Sequence, residues 1–116
     1  MDNLFRVVAA RDWEKALVTG RVPRCASDER AGHVHLSERS AVETIANAYF
    51  EPGEAPLALE IDRGAIEAEL EYSEPSEAKP WRQAHLNRPN VLTDQVLRTH
   101  PLIVANRDGR DRFVLG

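Results

Sequence analysis

The sequence predicts one small α+β domain, on three observations. Its 116 residues fit a single core and leave no room for a second of comparable quality. Two stretches carry helical periodicity, beginning near Asp12 and Ser40. Several short runs, among them Leu4-Phe5-Arg6-Val7-Val8 and Leu57-Ala58-Leu59-Glu60-Ile61, are β-branched or alternating and read as strands.

In chain order, Leu4–Val8 opens as a strand. Asp12 offers an N-cap to a helix whose Trp13, Ala16 and Leu17 share one face and which Gly20 stops. Arg21 to Gly32 has no periodicity and reads as a loop, leading to a strand over Gly32–Ser37. Ser37 or Ser40 caps the next helix, Ser40 with Glu43 as a capping box, and Val42, Ile45, Ala46, Tyr49 and Phe50 form its buried stripe. Glu51-Pro52-Gly53 breaks that helix. Pro56–Asp62 is a core strand with Leu57, Leu59 and Ile61 on one side and Glu60 on the other. Arg63-Gly64 turns the chain to a weaker strand around Leu70 and Tyr72, and Ser73 to Pro80 is a polar loop. Trp81 to Leu92 carries no clear pattern. Thr93-Asp94 caps a short helix through Val96 and Leu97, ended by His100-Pro101. Leu102–Val104 and Phe113–Leu115, joined across Asn106-Arg107-Asp108-Gly109, form a terminal hairpin.

Composition narrows function. No run approaches the roughly 20 apolar residues of a membrane span, and the N-terminus lacks a basic stretch followed by an apolar one, so the expectation is a soluble, cytoplasmic protein with no membrane partner. A net charge of −4 with dispersed acids argues against a nucleic-acid partner. Cys25 is the only cysteine, which excludes an internal disulfide and any multi-cysteine zinc site. Of the 15 basic residues 13 are arginine, the side chain suited to gripping phosphate or carboxylate.

The densest chemistry is His33-Val34-His35-Leu36-Ser37. Strand alternation puts His33, His35 and Ser37 on one face, beside the start of a helix whose free N–H groups favour an anion. The same residues also suit a half-exposed strand with Ser37 as a cap. His33, His35 and His85 together suggest three metal ligands, but no carboxylate or cysteine stands at a supporting spacing, so no metal is expected.

The path from Leu4-Phe5-Arg6 through Trp13, Gly20 and His33–Ser37 to Leu59-Glu60-Ile61-Asp62 and His85-Leu86 resembles domain-of-unknown-function family 952. The likeness covers about residues 1–104 of a 1–116 domain and leaves 105–116 as a C-terminal hairpin arm. It implies an ADP-ribosyltransferase-like fold, a split and mainly antiparallel β-structure with two or three short helices. The His33 to Phe50 segment is also similar to the catalytic lobe of RNA 2′-phosphotransferases. Here the first strand carries Arg6 where catalytic relatives usually carry a histidine, and His33 stands where family 952 often has an aromatic residue.

The resemblance implies a cleft for a nucleotide-like or other anionic small molecule, NAD or ADP-ribose among them, with no cofactor required. His35 and His85 would be general acid and base, Arg6 would hold the anion, Ser37 would orient it, Trp81 would stack on a ring, and Glu60 would fix a histidine tautomer or a ribose hydroxyl. His33 joins them as a further binding residue. A cofactor-free dehydratase or isomerase using the same histidines, and a non-catalytic interaction domain, are the alternatives. Oligomeric state is left open.

Overall fold

A computed structural model describes residues 2–115, so the two end positions of the expected 1–116 domain lie outside the described residues, as does the side chain of Arg107. The strands are β1 (Leu4–Val8), β2 (Val34–Ser37), β3 (Leu57–Ile61), β4 (Leu70–Ser73), β5 (Gln83–Leu86), β6 (Val96–Arg107) and β7 (Arg110–Leu115). They form one sheet in the order β4-β5-β2-β1-β3-β6-β7, with every pairing antiparallel. The helices are α1 (Ala10–Thr19), α2 (Ala26–Ala31), α3 (Val42–Tyr49) and the single turn α4 (Arg63–Ile66). Among the described residues, no helix is long and apolar enough to cross a membrane.

The register sorts side chains between the faces. Phe5 pairs with both Ser37 and Glu60, so Phe5, Val7, His35, Ser37, Ala58 and Glu60 share one face. Val42 and Ala46 of α3 cover its apolar part, together with Leu102 and Phe113 of the terminal hairpin. The other face bears Leu4, Val8, Leu36, Leu59, Ile61 and Leu86, closed by Ala16 and Trp13 of α1 and by Ile66. Leu4, Leu59, Ile61, Ile66 and Leu86 are fully buried, each contributing about 1.5–3 kcal/mol of transfer free energy. Both faces are therefore covered at the centre, and all of β1 is buried.

Several local expectations change. Helix α1 starts at Ala10, capped by Ala9 in extended conformation, with Asp12 inside its first turn. The expected loop at 21–32 contains α2, which begins after Cys25 and ends at Gly32 with φ 79°. β2 begins at Val34, so His33 sits in the bend before it. No Ser40–Glu43 capping box forms: α3 follows a 3-10 turn at Arg39–Ala41, and Glu43 instead accepts from the Leu115 N–H at 2.8 Å.

The short helix expected from Thr93 is only a turn, Thr93–Gln95, and Val96 opens the long strand β6. Tertiary pairing overrides local preference here, because β6 completes two ladders. It pairs with β3 up to Pro101 and with β7 from Leu102 on. Pro101, which has no N–H to donate, stands where the strand changes partner. The hairpin turns at Asp108-Gly109, both with positive φ (54° and 77°), as a two-residue type I′ loop requires.

Candidate functional site

The site grows from a gap in the sheet. β1 and β2 register at a single pair, Phe5 and Ser37, and then diverge. Arg6 and Asp28 fill the space between them. Arg6 Nη1 donates to the His35 carbonyl at 2.9 Å, replacing a ladder bond, and its guanidinium makes a paired contact with both Asp28 carboxylate oxygens. Asp28, in the first turn of α2, also accepts from the backbone N–H of Cys25 (3.0 Å) and of His35 (3.1 Å), and from His35 Nδ1 (2.9 Å). Asp28 is 0% exposed and Arg6 8%. Burial alone pushes the Asp28 carboxyl up, but the Arg6 charge and the hydrogen bonds from Arg6, Cys25 and His35 outweigh it and hold the group well below the usual carboxylate range.

His85 of β5 lies directly opposite His35 of β2, so both imidazoles leave the same face of the sheet. Their ring centroids are 5.4 Å apart, in edge-on orientation. His33 stacks on His85 at 4.2 Å with 14° between planes, and its centroid is 4.9 Å from that of His35. One nitrogen from each of the three rings lies within 4.8 Å of the others. The bond to Asp28 places the His35 proton on Nδ1 and leaves Nε2 with its lone pair. His33 Nε2 is buried without a hydrogen-bond partner, while His85 Nε2 lies 3.3 Å from Ser73 Oγ.

Burial lowers the His35 pKa, the Asp28 carboxylate works against that shift, and Lys79 and His33 add to it. His85 is lowered by burial first, then by His33 and His35, with Glu71 opposing. Both rings are thereby favoured in the neutral form, which can act as a base or a ligand.

Beside the cluster, on the same face of the sheet, opens a cleft of about 460 Å³. Ser37 and Gln83 belong to its strand wall together with His35. Tyr49, Phe50 and Trp81 supply aromatic surface, and Arg30 and Lys79 bring positive charge. Tyr49, expected in the buried stripe of α3, is 59% exposed and so is available to the cleft.

Two sequence expectations need correction. Arg6 lines the cleft, but its guanidinium is committed to Asp28 and to the His35 carbonyl, so it is not a free grip for an anion. Glu60 lies away from the cluster and orders a different histidine, accepting from His100 Nε2 at 2.7 Å and from Asn3 at 2.9 Å. Its side chain is only 15% exposed. It borders a more open depression of about 900 Å³ with Asp2, Glu38 and Glu43, and none of the three clustered histidines reaches it.

The fold thus gathers His33, His35 and His85, and places Ser37 and Trp81 in the adjoining cleft. The fold adds Asp28, Arg30, Lys79 and Gln83, which are not among the residues expected from the sequence. A signal for Asp28 was present: it stands three residues after Cys25 and before a helix-ending Gly32, the spacing by which an acidic side chain returns to the N-cap N–H.

Comparison with solved structures finds the crystal structure of protein CC0527 from Caulobacter crescentus, 25% identical, with a TM-score of 0.74 over 94% of this chain and 92% of that one. The solution NMR structure of the same protein is 26% identical, with a TM-score of 0.72 over 94% and 90%. No protein of curated function matches. Residues 7–99 match the family model described as "Protein of unknown function (DUF952)", most of the sheet and every residue of the histidine cluster included, and the chain belongs to that family.

Proposed function

We propose that this protein is a small-molecule-binding domain of ADP-ribosyltransferase-like architecture, whose ligand combines a planar ring with an anionic group, as a nucleotide or an ADP-ribose-like molecule does. The observation that carries the reading is the composition of the cleft: Tyr49, Phe50 and Trp81 beside Arg30 and Lys79, over a polar wall of Ser37, Gln83 and His35. Its volume of about 460 Å³ lies in the range of roughly 300–1,000 Å³ typical of ligand pockets. Aromatic faces take a ring, cations take the charge, and the wall offers hydrogen bonds that fix orientation.

A second reading adds proton transfer. It is favoured by one feature, the Asp28 carboxylate on His35 Nδ1, which orients the imidazole and leaves Nε2 to exchange a proton with a bound substrate. A cofactor-free dehydration or isomerisation needs such a group.

The test is a thermal-shift and calorimetric screen against NAD, ADP-ribose, mononucleotides and non-nucleotide aromatic carboxylates. A ligand at 100 times its dissociation constant should stabilise the fold by about 2.7 kcal/mol, and Trp81→Ala should abolish that gain. No shift with any nucleotide, or a shift unchanged in Trp81→Ala, would overturn the reading.

A further inference from the structure

We infer that His33, His35 and His85 form a binding site for one divalent transition-metal ion, of the class represented by Zn²⁺, with three imidazole ligands and an open coordination position. The geometry comes first. One nitrogen of each ring already lies within 4.8 Å of the others, and tetrahedral coordination at 2.0–2.1 Å brings such nitrogens to about 3.3 Å, a closure in which the stacked His33 and His85 rings splay apart so that their lone pairs converge.

The surroundings point the same way. His35 is turned by the Asp28 carboxylate on Nδ1, the outer arrangement that metal-ligating histidines characteristically have, and its Nε2 remains for the ion. His33 Nε2 is buried and has no hydrogen-bond partner among the described residues, a cost that a metal bond would remove. Carboxylates flank the cluster on both sides, Asp28, itself paired with Arg6, behind His35 and the exposed Glu71 opposite His85 in the β4–β5 ladder.

By spacing alone the sequence offers too few ligands for a metal. Folding changes that count, because β5 brings His85 opposite His35 and α2 brings Asp28 against it from another element. An imidazole set selects borderline ions such as Zn²⁺, Co²⁺ and Ni²⁺ over Mg²⁺ and Ca²⁺, which prefer oxygen ligands. Three protein ligands with one position left to water distinguish this ion from a fold-holding one, whose first shell is closed.

This inference does not depend on the cleft ligand. His35 also belongs to the cleft wall, but His33 and His85 do not line it, so variants at those two positions separate the two binding reactions. The experiment titrates the chelator-stripped 116-residue chain with Zn²⁺ by calorimetry and with Co²⁺ by visible absorption, alongside Mg²⁺. The expected result is one Zn²⁺ or Co²⁺ per chain, no Mg²⁺, and a cobalt spectrum of low coordination number. His33→Ala and His85→Gln should each weaken binding by more than the roughly 100-fold upper end of second-shell changes, with circular dichroism unchanged. Cys25→Ser, which removes the only thiol, should bind as the parent does. Absence of stoichiometric binding, binding undiminished in His33→Ala, or binding lost in Cys25→Ser would each overturn the inference.

Discussion

His85 stands directly across the β2–β5 ladder from His35, with 5.4 Å between ring centroids. The pairing decides the site, because side chains alternate and a slip of one residue would set Ala84 against His35 and turn the His85 ring to the opposite face. NMR of the protein should therefore show cross-peaks from the His85 ring to both His33 and His35. Cross-peaks to neither ring, with β2 and β5 otherwise paired, would displace the register and dissolve the cluster.

The Arg6–Asp28 pair bridges the divergence of β1 from β2, and both partners are buried. Removing one partner strands the other charge away from water. Arg6→Met and Asp28→Ala are each expected to lose about 3–5 kcal/mol in urea unfolding. Arg6→Lys should rescue little, since a point charge cannot reproduce contacts with both carboxylate oxygens and the His35 carbonyl. A loss below about 1 kcal/mol in either truncation would show that the pair does not hold the strands.

Asp28 also sets an acid limit. Its folded pKa lies below the unfolded value of about 3.9, so its contribution to stability is present above that value and drains away as pH falls below it. Stability measured by denaturant between pH 6 and pH 2 should drop steeply below about pH 4, and Asp28→Asn should flatten that part of the profile. Parallel profiles for parent and variant would assign acid lability elsewhere.

Charge in the cleft comes from Arg30 and Lys79 rather than Arg6. Reversing both, Arg30→Glu with Lys79→Glu, should weaken an anionic ligand by roughly 100-fold, about 2.7 kcal/mol, and change unfolding free energy by less than about 0.5 kcal/mol. Calorimetry on the ligand from the thermal-shift screen reads the first and urea unfolding the second. Unchanged affinity would mean the ligand's charge lies elsewhere.

Gly109 turns the terminal hairpin at φ 77°, and a Cβ built there would meet nothing within 4 Å. Any penalty for Gly109→Ala is then conformational rather than steric, about 1 kcal/mol. Asp108→Asn should be neutral, because asparagine tolerates the same left-handed conformation. Equal stability of Gly109→Ala and the parent would argue that the turn adopts another type.

The sequence by itself determined the elements whose instructions are local. Leu4–Val8 is a strand because it is an apolar, β-branched run, Gly20 ends α1 because only glycine takes φ 80° cheaply, and Asp108-Gly109 demands a tight hairpin. The alternation of Leu57, Leu59 and Ile61 likewise names the core face of β3.

Tertiary structure decided what depends on partners distant in the chain. Val96–Leu97 follow a helix cap yet extend as strand, since β3 supplies the pairing at this end of β6. Arg6 is a cation that sequence assigns to a ligand and the fold assigns to Asp28, because a buried guanidinium must be neutralised where it lies. Glu60 meets His100 rather than His35 because β3 pairs with β6 on one side while β1 separates it from β2 on the other. The histidine cluster is the clearest case. Local alternation puts His35 and Ser37 on one face, but only the antiparallel registration of β5 against β2 brings His85 opposite His35, and only the packing of α2 sets Asp28 behind it.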